Sequence, residues 1–329
     1  MAFLTSLFFG FVPMFLFAYI LYWLDRYEKE PLPLLIGVFM WGVVVAAGGA
    51  YLLNTLFGIT VFSVTGSEAA SDLATGSISA PFVEEGLKGM AVLLVFLFFR
   101  REFDSILDGI IYAGIAALGF AATENVLYIW RGYTADGWSG LFTLVFIRVI
   151  LVGWQHPFYT AFTGIGLAIS RMNRSCLVKV IAPMIGLGFA MFTHSFHNTL
   201  AGIPFFGEMT CFIGSFLDWF GVAFMFLVIL WANWMEMRTI SVQLQEEVQL
   251  GLINANQYRT ASSAWNQFFA KLSALGGGHY RATIRFYQVC AELAHKKQQL
   301  QKLGDEQGNS QIIEHLRAEL ASLAPYAPA

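Results

Sequence analysis

The chain has 329 residues, of which 57% are hydrophobic and only 12% charged, with a mean hydropathy of +0.61. Soluble domains carry about 25% charged residues, so a soluble enzyme is excluded and a polytopic membrane protein is implied. The formal net charge of −3 leaves no basic stripe for nucleic acid, and the widely spaced Cys176, Cys211 and Cys290 match neither a zinc-finger spacing nor a disulfide framework.

In chain order, Met1 to Leu24 is apolar but lacks the basic start and the Ala-x-Ala site of a cleaved leader, so it reads as a retained first span. Further runs of the roughly 20 residues that cross a bilayer lie near 34–57, 77–99, 106–130, 139–170, 178–202 and 210–234. The expected fold is all-α, with about seven transmembrane helices. Pro157 inside the fifth run predicts a kink or a split there. From Glu236 the chain turns polar with helical periodicity, so residues 1–235 read as a membrane domain and 236–329 as a helical cytosolic tail, either a small helical bundle or helices packed on the membrane face. In that tail Trp265, Phe268, Phe269, Leu272 and Leu275 recur on one helix face, ended by Gly276-Gly277-Gly278. His279, His295 and His315 are expected to be solvated.

Basic residues orient short loops toward the cytosol. Arg26 and Lys29 follow the first span, Arg100 and Arg101 the third, and Arg171, Arg174 and Lys179 the fifth. The alternate loops are nearly free of Lys and Arg, which predicts the N-terminus outside and the tail inside.

Four spans carry side chains that lipid would not tolerate. They are Glu84, Glu85 and Lys88 in the third; Glu124 and Asn125 in the fourth; Gln155 and His156 in the fifth; His194, His197 and Asn198 in the sixth. An ionisable group in hydrocarbon costs roughly 2.5–3.5 kcal/mol, so each set implies a partner, a water-filled cavity or a reaction. At about 1.5 Å per residue, Glu85, His156 and His194 all lie roughly 22 Å from the basic residues that mark their cytosolic ends, and Glu124 roughly 24 Å from Asp108. One shared depth, in the outer third of a core roughly 30 Å thick, argues for a single site built from four helices. Glu84 is spaced i, i+4 from Lys88 and Glu85 points about 100° away, so one glutamate pairs with the lysine while the other faces the cavity. Gly86, Gly89, Gly114, Gly119, Gly164 and Gly166 would let the helices approach closely. Arg148 and Asp108 read as structural and stand outside this set.

Such a set permits hydrolysis in two ways. A glutamate takes a proton from water while histidine and Asn198 stabilise the oxyanion, or His156, His194 and a glutamate hold a metal such as zinc that lowers the pKa of its water to about 7. The competing class is a proton- or ion-coupled transporter, which also aligns intramembrane acids and histidines but more often shows internal repeats; none is evident in this sequence.

These motifs resemble the PrsW family of intramembrane proteases, which is related to CAAX-type prenyl endopeptidases and bacteriocin-processing enzymes. The family's E-E-x-x-K is similar to Glu84-Glu85-Gly86-Leu87-Lys88, its F-x-x-x-E to Phe120 through Glu124, and its H-x-x-x-N/D to His194 through Asn198. His156 opening a small-residue helix and the Asp25 to Pro31 stretch resemble two further hallmarks; the proline after His156 and the extra His197 depart from the pattern. The resemblance implies catalytic roles for Glu84, Glu85, Glu124, His156, His194 and Asn198, supported by Lys88 and Asn125. If the enzyme is metal-dependent, His156, His194 and Glu124 are the expected ligands, with zinc the expected ion. It also implies a membrane-protein substrate such as an anti-sigma factor, cut on the extracytoplasmic side of a bacterial inner membrane.

Overall fold

The computed structural model describes residues 1–202, 208–305 and 308–327, with only the backbone described for 208–212. The connection expected between the sixth and seventh spans, residues 203–207, and the side chain of Cys211 lie outside the described residues. The chain divides into two compact units. One comprises Met1–Leu24, Glu30–Ser170 and Leu177–Val228, and the other Asp25–Lys29, Arg171–Cys176 and Ile229–Ala329.

Among the described residues, five helical stretches are long and apolar enough to cross a membrane: Ala2–Leu24, Leu32–Thr65, Ile106–Arg171, Cys176–Gly202 and Ile213–Gln249. The chain is therefore an all-α polytopic membrane protein. Two of the seven expected runs account for the difference. The runs at 106–130 and 139–170 fall within one helical stretch, and the run at 77–99 corresponds to Ala80–Phe98, whose 19 residues include Glu84, Glu85 and Lys88.

In the first unit α1 (Ala2–Leu24) and α2 (Leu32–Thr65) are followed by a short α3 (Glu68–Ala74), a π-helical turn (Thr75–Ser79) and α4 (Ala80–Phe98). The next helix, α5 (Ile106–Val145), begins with a capping box: Ser105 Oγ accepts from the Asp108 N–H at 3.2 Å and the Asp108 carboxylate accepts from the Ser105 N–H at 2.7 Å. Asp108 is thus spent on starting a helix. From Leu107 to Ala122 every residue of α5 is buried, as expected of a helix that is apolar all round. Gly109 and the Gly164 of α6 (Gln155–Arg171) meet backbone to backbone, so a Cβ on either would strike the other's carbonyl.

The helix α5 is not one rod. Asp136 and Gly137 leave the helical region, Gly137 with φ of 62°, and the carbonyl of Gly140 then lies against Gly132. Eight residues of straight helix would separate those two glycines by about 12 Å, so the chain doubles back at the break. The split expected at Pro157 occurs just before it. Val152 to Trp154 interrupt the helix and α6 starts at Gln155, which puts Pro157 in a first turn, where a missing N–H breaks no bond. Of the expected close-approach glycines, Gly119 and Gly166 also meet backbone, whereas Gly86 faces open space. The remaining helices of this unit are α7 (Cys176–Gly202) and the first part of α8 (Glu208–Gln243).

The second unit continues from α8 through α9 (Gln245–Gln249), α10 (Ala255–Ala261), α11 (Ala264–Gly276), α12 (Tyr280–Leu303) and α13 (Asn309–Leu323). Phe286, Tyr287, Val289, Cys290 and Leu293 of α12 centre a core that takes in Ile240, Leu244, Ile313 and Leu320. The fully buried Glu247 is held by Lys297 at 2.6 Å and by Arg317. Of the three tail histidines, His279 and His315 are exposed, but the expectation for His295 fails. It sits one helical turn from Ala291 on the buried face of α12, with Nδ1 2.8 Å from Glu28 Oε2.

Candidate active site

The two glutamates of α4 have different surroundings. The Glu85 carboxylate accepts from Lys88 Nζ at 2.5 Å and from Thr160 Oγ1 at 2.8 Å, and its Oε1 lies 2.9 Å from His194 Nδ1. Glu84 Oε2 lies 4.0 Å from Lys88 Nζ and 3.8 Å from His194 Nε2, and is buried with no hydrogen-bond partner among the described residues. The lysine therefore takes the i, i+3 carboxylate as its partner, and the i, i+4 carboxylate is the one left facing elsewhere.

Helices α5 and α6 bring the next groups. His156 Nε2 lies 3.0 Å from Glu124 Oε2, and His156 Nδ1 3.3 Å from Lys88 Nζ. Arg148 donates to Glu124, and its Nε donates to Asn125 Oδ1 at 2.9 Å, with the guanidinium 4.0 Å above the Tyr128 ring. Sequence reasoning set Arg148 aside; the reversal at Asp136 and Gly137 is what carries it back to Glu124.

Helix α7 supplies His194, Ser195, His197 and Asn198. Asn198 Nδ2 donates to the Gly76 carbonyl at 2.9 Å and Ser195 Oγ to the Ser77 carbonyl at 2.5 Å. Those carbonyls need partners because Pro81 has no N–H. An α-helical bond from residue 81 would reach Ser77, and a π-helical one Gly76. Asn198, expected to face an oxyanion, thus spends an amide proton on anchoring α7 to the turn before α4. His197 belongs to a neighbouring cluster in which its Nδ1 lies 2.5 Å from Asp218 Oδ2, Gln155 donates to the same oxygen and Tyr159 donates to Oδ1 at 3.2 Å. The Tyr159 ring stacks on His194, with centroids 5.0 Å apart. Asp218 was also missed, and its one signal is a single acid inside an apolar run.

Glu84, His156 and His194 each offer one ligand atom within 4.8 Å of the other two. A nitrogen, nitrogen and oxygen set with a fourth position for water suits zinc. The unpartnered Glu84 oxygen, and the carboxylate of Glu85 beside the other nitrogen of His194, fit a metal centre and its outer support. Glu124, expected among the ligands, lies beside His156 and is bonded by Arg148. Glu84 and Glu124 both line a cavity of about 580 Å³ that runs past Ala47, Tyr51, Thr75 and Asn198. A second cavity of about 50 Å³ behind the histidines is large enough for water.

Residues 30–232 match the PrsW family of intramembrane metalloproteases, a stretch that contains every residue of this cluster. The chain belongs to the PrsW family. Proteins named Protease PrsW are similar to it over part of their length: the one from Geobacillus kaustophilus (strain HTA426) is 35% identical over 105 residues, covering 32% of this chain and 43% of that protein. The one from Clostridioides difficile (strain 630) is 41% identical over 106 residues, 32% of this chain and 42% of that protein. The one from Bacillus subtilis (strain 168) is 33% identical over 105 residues, 32% and 44% respectively. The alignments thus span less than half of each PrsW relative, and all three relatives are bacterial. No solved structure matches the chain significantly.

Proposed function

We propose that this chain is an intramembrane endopeptidase that hydrolyses a peptide bond of a membrane-protein substrate at Glu84, His156 and His194. The observation that carries the reading is Glu84 Oε2, a buried carboxylate oxygen with no hydrogen-bond partner among the described residues, on a residue that lines a cavity of about 580 Å³. Such an atom is costly unless a ligand meets it.

Glu84 takes a proton from water as the water oxygen attacks the scissile carbonyl carbon, and returns it to the departing amine nitrogen. Glu85, Lys88 and Thr160 hold His194 in orientation, and Arg148 holds Glu124 against His156. Asn198 keeps α7 docked, so that the imidazoles and Glu84 stay on one point. The same three residues would hold a divalent metal such as zinc, which when bound acidifies water to a pKa of about 7 and polarises the carbonyl. Each of the three would offer such an ion one ligand atom.

The finer topology belongs to the same proposal. The reversal at Asp136 and Gly137 supports two crossings within Ile106–Arg171, and α4 adds one despite its charges, for seven in all. Residues 1–235 form the protease domain and 236–329 a cytosolic tail, with the N-terminus outside, in a bacterial inner membrane. The site then lies toward the extracytoplasmic side, where an anti-sigma factor is the substrate the family resemblance implies.

Purified protein in vesicles is expected to cleave a single-span substrate, and Glu84→Gln to abolish cleavage while the protein stays folded. Undiminished cleavage by that variant would remove the assignment.

A further inference from the structure

Helix α11 is amphipathic in the inverted sense. Its inward face is Gln267, Ala270 and Ala274, all buried, with Gln267 Nε2 donating to the Ala261 carbonyl at 3.0 Å. Its large side chains point outward: Trp265, Phe268, Phe269, Leu272 and Leu275 are 53% to 67% exposed. At about 100° per residue the five form a stripe about 120° wide. Side chains of this size present on the order of 500 Å² of apolar surface, at the upper end of what a soluble monomer tolerates. A helix that packed on its own core would turn this stripe inward.

The contacts of α11 tie it to residues next to the end of an apolar helix. Its unit contains Asp25–Lys29, which begins directly after Leu24, the last residue of the apolar α1. The Tyr27 hydroxyl is hydrogen-bonded to the backbone of Ala264, the first residue of α11, and both join one hydrophobic cluster. Lys271, on the margin of the stripe, interacts electrostatically with Asp25. Both ties run to residues within three positions of the end of a membrane span. The same unit carries the end of the apolar α8, where Trp231, Trp234 and Met235 are exposed, and tryptophan is enriched at bilayer interfaces. Asn266 and Ser273 edge the stripe on its other side, also exposed, so apolar and polar surfaces meet along straight margins.

We propose that α11 is an interfacial membrane helix, lying in the plane of the bilayer surface with Phe268, Phe269 and Leu272 among the acyl chains, and that the occupant of its outer face is lipid. Residues 236–329 hold nine Lys and Arg against eight Asp and Glu, so apolar burial holds the helix down and anionic lipid is not required.

The test uses the full chain with Cys176 and Cys211 replaced, Cys290 being buried, and single cysteines placed in turn along α11. Each is labelled with a nitroxide, and the protein is reconstituted in phosphatidylcholine vesicles. Collision with oxygen is compared with collision with a water-soluble nickel chelate. Labels at Phe268, Phe269 and Leu272 are expected to favour oxygen severalfold, and labels at Asn266 and Ser273 to favour nickel, with a period near 3.6. Nickel reaching every position would overturn the proposal by placing the stripe in water. Neither reagent reaching Phe268, Phe269 and Leu272 would overturn it by showing a protein surface there, whether a second copy or another partner.

Discussion

Glu85 and Glu84 are neighbours on α4, yet Glu85 is bonded by Lys88 and Thr160 while Glu84 keeps a buried oxygen without a hydrogen-bond partner among the described residues, 3.8 Å from His194 Nε2. Adjacent identical residues are thereby separated into one carboxylate held by hydrogen bonds and one without them among the described residues.

The two neutral variants should differ in stability. Glu85→Gln leaves the fully buried Lys88 ammonium without its carboxylate, and stranding one member of a buried pair costs about 3–5 kcal/mol. Glu84→Gln removes a charge that no hydrogen bond supports among the described residues, and in metal-free protein it should leave thermal stability near the parent value. Thermal unfolding in detergent checks both, and equal melting of the Glu85 variant and the parent would contradict the pairing.

The Asn198 anchor should depend on Pro81. Asn198→Ala leaves the Gly76 carbonyl unsatisfied at a cost of about 1–2 kcal/mol. In a Pro81→Ala background residue 81 regains an N–H that can serve the π-turn carbonyls, so the same substitution should cost measurably less. A double-mutant cycle on unfolding reads the coupling, and strict additivity would mean that the amide does not answer the proline.

Arg148 should matter through Glu124. Arg148→Gln leaves the half-buried Glu124 carboxylate with His156 as its remaining partner and should lower stability by about 2 kcal/mol. Adding Glu124→Gln should restore most of that loss. A double variant as unstable as Arg148→Gln alone would show that the arginine acts elsewhere.

Lys29, outside the membrane spans, gives a pH dependence. Burial lowers its ammonium to about 8, against the opposing pull of Asp25, whereas an unfolded lysine titrates near 10.4. Between those values the unfolded chain holds a proton that the folded chain has released, so stability rises with pH across the window and levels off above it. The rise should be about 2 kcal/mol, and Lys29→Met should remove it and be the more stable protein at pH 7.5. Unfolding followed from pH 7.5 to 10 in both proteins checks the sign.

The site was legible where physics made residues conspicuous. Glu84, Glu85 and Lys88 stand out in an apolar run, and their common depth with Glu124, His156 and His194 follows from helix rise alone. Which glutamate takes the lysine depends on side-chain rotamers, which spacing leaves open. Arg148 and Asp218 were obscured because their partners are 20 and 21 residues or more away and are joined only by the fold. The acceptors of Ser195 and Asn198 are backbone carbonyls, which carry no residue-type signal. In the tail, periodicity identified the Trp265 to Leu275 stripe but not the side it faces, and likewise misjudged His295.

The most direct measurement is the metal content of the purified protein and its variants. The protein should carry about one equivalent of a divalent transition metal, lost in Glu84→Ala, His156→Ala and His194→Ala and retained in Glu124→Gln. Metal that survives Glu84→Ala but is lost with Glu124→Gln, or full cleavage by metal-free protein, would contradict this.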